Sequence, residues 1–450
     1  MNALATRSQL RAASLAELLG LAGPVVVARL GIMAMGLTDS IVVGRYSATQ
    51  LAYHAMGWTP HGLVLTASVG LLSGVQVMTS RAIGEGRPER AGAVLRRGLS
   101  YGLWIGLGSA VALYLFGPAF LRLLGLSPDL AAGGGRVAQV FALSLPMYVL
   151  TTAGIGFLEG LGKPTPGMLA MWIANIANLA LNLVLVPGRF GFPAMGAVGA
   201  AWSTFGARLV LLVVVAIWIA RLPQARALKV FERPARDLHA EAEQRRIGYG
   251  AGVAMIVENG AFAGMNVVAG WISPLALAAW AVVLNIMALI FMVPLGLGTA
   301  TSVLVGRAYG ARDREGVIRA AGLGFSVCLV AAILISLAIW PTAGLIARAY
   351  ATDPALIALV TPALVLSCLF FAADALQVVG GMALRARGDV LIPTCTHVFS
   401  YTAIMLPLGW ALAHPAHLGV NGIVLAALIA SVVAAGLLLG RFWMLARQEL

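Results

Sequence analysis

The 450-residue chain is 60% hydrophobic and only 10% charged, against about 25% charged in soluble domains. That excludes a free-standing soluble domain. Apolar runs without polar alternation exclude a β-barrel. The formal charge of +13 would suit nucleic acid, but its placement along the chain argues otherwise.

Apolar runs close to the ~20 residues that cross a bilayer predict about twelve spans. In chain order they fall at 16–38, 50–77, 95–116, 132–153, 164–187, 193–219, 247–271, 276–304, 318–341, 355–382, 391–412 and 418–442. The first twenty residues are polar and basic, so the first span is expected to stay in the chain rather than be cleaved as a signal. Alternate loops, with both termini, hold about 23 of the 30 Lys and Arg, and the other loops hold about five. This asymmetry places the basic set and both termini in the cytoplasm. The positive charge is thus a topology signal, and no nucleic-acid partner is expected. The reading is an all-α polytopic membrane protein, whose partner is the lipid bilayer.

The two halves echo each other. SRAIGEGRPER resembles GRAYGARDREG, with Arg81 and Arg307 226 positions apart (307 minus 81). The same offset relates Pro128 to Pro354 and Gly162 to Gly388. Each copy holds six spans, an even number, so both share one orientation. The expectation is two pseudo-symmetric six-helix lobes around a central cleft. The N-terminal lobe is 1–220, a polar cytoplasmic linker is 221–246, and the C-terminal lobe is 247–450.

Nearly all of the 17 acids lie in loops or at span ends; Asp39, Glu258 and Asp374 do not. A carboxylate at mid-span costs about 2.5–3.5 kcal/mol on insertion scales. Glu258 is 12 residues past Arg246 and Asp374 is 11 before Arg385, depths of about 18 and 16 Å at 1.5 Å per residue. Two acids at one height in one lobe suggest a shared site. Asp39 lies six residues before Arg45, about 9 Å deep. Asn178 and Asn182 share a helix face at a similar level, and Ser203 and Thr204 add hydroxyls. The competing reading makes these asparagines plain helix glue and pairs Asp39 with Arg45 or Arg29. Arg29 and Arg208 read as structural counter-charges. Cys328, Cys368 and Cys395 match no metal or redox spacing and read as small buried hydrophobes. The six histidines sit mostly near span ends or in loops, so no span offers a catalytic set, and no enzyme is expected. Trp58, Trp172, Trp271 and Trp280 could face organic cations.

At these residues the chain resembles the multidrug and toxic compound extrusion (MATE) family, NorM-type bacterial branch, along nearly its whole length. The matching stretches are GLTDSIVVGRYSATQLAYHAMG, SRAIGEGRPERAGAVLRRG, GAVGAAWST, VENGAFAG, PLGLGTATSVLVGRAYGARDREGV and DALQVVGGMALRARGDV. The resemblance implies export of cationic, amphipathic compounds in exchange for Na⁺ or H⁺, from the bacterial cytoplasmic (inner) membrane. It implies no cofactor beyond the coupling ion and no obligatory protein partner. By motif, Glu258 and Asp374 look like the second-lobe cation site, a candidate for Na⁺. Asp39 looks like the first-lobe acid, with Asn178, Asn182 and Thr204 as companions. Pro24 resembles the first-helix proline at which some members bend, and Pro294 is a further hinge candidate. Phe370 stands where related sequences often carry a tyrosine, so that position brings no hydroxyl. The nearest rival is a lipid-linked oligosaccharide or cell-wall-precursor flippase of the same superfamily. It would need several arginines toward the cleft, where Arg29 and Arg208 are the candidates.

Overall fold

The computed structural model describes residues 14–123, 127–232 and 237–448, and these are helical with short turns and no strand. In order the helices are α1 (Leu15–Tyr46), α2 (Ala48–Gly84), α3 (Glu89–Leu123), α4 (Pro128–Leu143), α5 (Leu145–Gly160), α6 (Thr165–Leu185), α7 (Gly196–Ala220), α8 (Leu238–Ile272), α9 (Pro274–Gly310), α10 (Arg314–Tyr350), α11 (Pro354–Ala386), α12 (Leu391–His397), α13 (Leu406–Ala413) and α14 (Gly419–Ala446). Between α12 and α13 the helix widens into a π-helical stretch, Val398–Met405. Among the described residues eleven helices are long and apolar enough to span, or twelve with α4 and α5 as one bent span.

That bend falls within the span expected at 132–153. The axis turns by 43° between α4 and α5. Ser144 closes α4, and Pro146, near the start of α5, lacks the N–H that would continue it. Pro24 and Pro294, by contrast, lie inside continuous helices. Helix starts are fixed by side chains that accept orphan N–H groups: Ser273 from Ala276 at 3.0 Å, Asp313 from Gly316 at 2.9 Å and Asp353 from Ala355 at 2.9 Å. Asp237 does the same before α8, and the Ala240 N–H it accepts holds its carboxyl below the ordinary value.

The chain divides into two compact units. One comprises Val27–Ala82 and Arg87–Ile256; the other comprises Ile83–Gly86 and Val257–Leu450, with the chain up to Val26. In the first unit, α2 and α8 meet through glycines spaced four apart on each. A Cβ on Gly70 would lie 2.6 Å from the Gly252 Cα, and one on Gly74 or Gly248 would strike the backbone carbonyl of Gln244 or Leu71. Small residues at this spacing let two helix backbones touch where lipid supplies no hydrophobic drive. Gly74→Val is therefore expected to push the helices apart and cost about 1–3 kcal/mol. A melting midpoint in detergent equal to wild type would show that this crossing is slack.

The stretch 222–232 does not hang free of its unit. Val230 accepts from Arg96 Nε at 2.7 Å, Leu228 from the Gly92 N–H at 2.9 Å, and Leu222, Ala225 and Leu228 are buried. The second unit has a continuous apolar core running from Leu18 and Leu21 through Met265, Trp280 and Val283 to Tyr401 and Phe442.

Candidate ion-coupling sites

In the first unit, Asp39 is fully buried. Its Oδ1 accepts from Asn178 Nδ2 at 3.0 Å and Asn182 Nδ2 at 2.7 Å, and its Oδ2 accepts from Thr204 Oγ1 at 2.6 Å. The residues grouped by depth and spacing thus meet at one carboxylate, which ties α1 to α6 and α7. Ser203 stays outside, bonded back to the Gly199 carbonyl at 2.9 Å. Asn175 is helix glue, donating to the Gly31 carbonyl of α1 at 3.0 Å.

Asp39 pairs with neither Arg29 nor Arg45. Arg29 reaches Glu159 at 3.7 Å. Glu159, one of the acids read as lying in loops or at span ends, is only 5% exposed at the end of α5. Gly160 beside it packs so tightly on α2 that a Cβ would lie 2.7 Å from the Gln76 carbonyl oxygen and from Thr79 Cβ. Breaking a buried pair from one side strands the other charge. Glu159→Gln is expected to destabilise by about 3 kcal/mol, and Arg29→Met with Glu159→Leu together by much less. Additive losses in the melting midpoints of the single and double variants would dissolve the pair.

Arg208, also buried, donates to Ser144 Oγ at 2.6 Å, contacts His61 Nε2 at 2.8 Å and lies 5.0 Å over the Tyr148 ring. His54 and His61 are buried within α2 and His397 at the end of α12, so half of the histidines are interior rather than peripheral. Cys328 and Cys368 are buried as expected, but Cys395 is exposed.

In the second unit, Glu258 of α8 and Asp374 of α11 meet, both buried. Gln377, one turn past Asp374, joins them: its Nε2 donates to Glu258 Oε1 and to Asp374 Oδ1, each at 3.1 Å. The π-helical stretch brings in Tyr401, whose hydroxyl lies 3.3 Å from Ser431 Oγ and in electrostatic reach of Glu258. His397 Nδ1 lies 3.7 Å from Glu258 Oε2. The buried Arg385 guanidinium is in electrostatic reach of Glu258, so it belongs to the site and not, as the depth count assumed, to the surface. Phe262, one turn beyond Glu258, has the rings of Trp280, Phe370 and Tyr401 around it at 6.2–6.5 Å. Trp280 is thus core, whereas Trp172 and Trp271 are exposed on their helices.

Sequence reasoning missed Gln377, His397, Tyr401 and Arg385. Gln377 had a signal, since i+3 from an intramembrane acid is the same helix face. Tyr401 had none, because a π-helical stretch shifts which residues face inward.

Fold and sites together define a repeated polytopic helical bundle with an acid centre inside each compact unit. The family model MatE matches the chain twice, over residues 24–184 and 251–411, one match on each copy of the repeat. The chain belongs to the MatE family, whose named members are transporters and not enzymes. It is 57% identical to the "Probable multidrug resistance protein NorM" of Caulobacter vibrioides, over 96% of this chain and 92% of that one. It is 31% identical to the "Multidrug resistance protein PmpM" of Pseudomonas aeruginosa, over 89% of this chain and 84% of that one. In fold it is similar to the eukaryotic MATE transporter AtDTX14, with a TM-score of 0.86 at 18% identity over 95% of each chain.

Proposed function

We propose that this chain is a secondary active multidrug exporter of the bacterial cytoplasmic membrane, with both termini cytoplasmic. It exchanges cationic amphipathic compounds for Na⁺ or H⁺ by alternating access of a cleft between two lobes, 1–220 and 247–450, joined by 221–246. The observation that carries the reading is the buried Glu258–Asp374 pair. A carboxylate in an apolar core is stable only when paired, protonated or bound to a cation, and two of them share one amide, with one guanidinium in electrostatic reach of Glu258. A cationic drug and a coupling cation then compete for the same negative potential, and the competition of two ligands for one site is the basis of exchange. Asp39, with Asn178, Asn182 and Thr204, serves as the second coupling centre, and Pro24 and Pro294 serve as hinges.

The names of the relatives support drug export. A pyrophosphate-binding flippase is disfavoured, because Arg29 is engaged by Glu159, and Arg208 by Ser144 and His61. The test is ethidium efflux from proteoliposomes under separately imposed sodium and pH gradients. Uphill efflux under at least one is expected; no response to either sinks the reading.

A further inference from the structure

The two copies of the repeat are interlocked. The leading half of α1, up to Val26, lies in the same compact unit as α9, although α1 opens the first copy and α9 belongs to the second. The leading half of α8, up to Ile256, lies in the same unit as α2 of the first copy. The second helix of each copy thus seats the front of the first helix of the other.

These contacts match under the repeat offset. Within one unit, Arg81 Nη1 of α2 meets Glu243 Oε1 of α8 at 2.6 Å. Within the other, Arg307 Nη1 of α9 meets Glu17 Oε1 of α1 at 3.3 Å. The arginines are 226 positions apart (307 minus 81), and so are the glutamates (243 minus 17). One ion pair is therefore made twice. Further along the same helices Gly70 packs on Gly252, and Gly296 packs on Val26, again with an offset of 226 on each side (296 minus 70, 252 minus 26). A Cβ on Gly296 would lie 3.1 Å from the Val26 nitrogen and 3.3 Å from the Ala22 carbonyl oxygen. The buried acids do not correspond in this way: Asp39 answers to Met265, and Glu258 to Ile32.

The pairs are built to part. The Glu243 and Glu17 side chains are 31% and 38% exposed, so water can take over each carboxylate when its arginine leaves. The Arg29–Glu159 pair differs, because its acid is only 5% exposed and would be stranded. The two latching contacts are also unequal. Arg307–Glu17 is the longer and the wetter, and α1 carries Pro24 two residues before it changes unit at Val26, whereas α8 holds no proline. For α1 or α8 to move as one body with the rest of its own copy, its leading half must leave the helix that seats it.

We infer that Arg307–Glu17 and Arg81–Glu243 are reciprocal latches that shut the cytoplasmic end of the exporter, and that the α1 latch is the weaker and releases first. This inference rests on the exchanger reading above, with its cytoplasmic termini, and adds the device that holds one end closed.

The test has two arms. In the first, Ala22→Cys or Ala251→Cys serves as a probe in a chain whose own three cysteines are replaced. Ala22 and Ala251 are buried, and their backbones lie against Gly296 and Gly70. Maleimide labelling of detergent-purified protein then reports how often each leading half lifts. Glu17→Gln is expected to speed labelling at 22 about threefold, the scale of a partly exposed pair. Glu243→Gln is expected to speed labelling at 251 about tenfold or more, the scale of a charged hydrogen bond with a buried arginine. In the unaltered pairs, position 22 should label faster than 251. In the second arm, Glu17→Cys with Arg307→Cys, or Glu243→Cys with Arg81→Cys, is joined by a short reducible linker in proteoliposomes. Linkage is expected to cut ethidium efflux at least tenfold, and reduction of the same protein to restore it. Labelling rates unmoved by either glutamine overturn the inference, as does equal efflux before and after reduction. Faster labelling at 251 than at 22 overturns the order of release. If wild-type protein moves ethidium under no gradient, the exchanger reading falls instead, and the labelling arm still judges the latches.

Discussion

Glu258→Gln and Asp374→Asn are each expected to lower gradient-driven efflux by about a hundredfold or more while leaving a monodisperse, folded protein. Both substitutions preserve shape and an oxygen acceptor. Glutamine at 258 and asparagine at 374 can still accept from Gln377, where the native contacts are 3.1 Å. What disappears is the capacity to change charge. The site no longer needs a proton or a cation in one state and its release in another. Coupling is reciprocal, so dye affinity in either variant should also become independent of the coupling ion. Proteoliposome efflux and equilibrium dye binding measure the two effects. Wild-type rates in both variants would show that the pair is static.

The second large effect separates two substitutions at one position. Asp39→Ala removes the acceptor of Asn178, Asn182 and Thr204. Each donor left unsatisfied in a buried place costs about 1–3 kcal/mol, so the loss reaches several kcal/mol and should show as a collapse of the melting midpoint or of yield. Asp39→Asn retains one acceptor oxygen for the two amides and turns an –NH₂ toward Thr204, whose hydroxyl can accept. It should melt near wild type and transport ethidium more slowly. Unimpaired transport would reduce the carboxylate to a strut between α1, α6 and α7.

The contrast between the two centres shows what a sequence can carry. Asp39, Asn178 and Asn182 could be brought together on paper because helical rise converts residue counts into depth, and spacing by four defines a face. Twelve spans were legible for the same reason. Depth counting also put Glu258 and Asp374 at one level, but it took Arg385 for a surface marker, and burial of that side chain depends on its neighbours. Glu159 was misplaced because it stands three residues before the Gly162-Lys163 turn. Only the tight packing of Gly160 on α2, a tertiary fact, draws it into the core. Tyr401 lay beyond reach, since it faces inward where the regular helical period fails.

α1 and α8 hold corresponding places in the two copies of the repeat, and they end at Tyr46 and Ile272. Asp39 stands seven residues short of its helix end and Glu258 fourteen, a stagger of two turns or about 10 Å. The repeat thus keeps its helices in correspondence while its carboxylates stand at different positions along them. A chain spliced from two first halves would inherit twin Asp39 outlets and no Glu258–Asp374 socket at all.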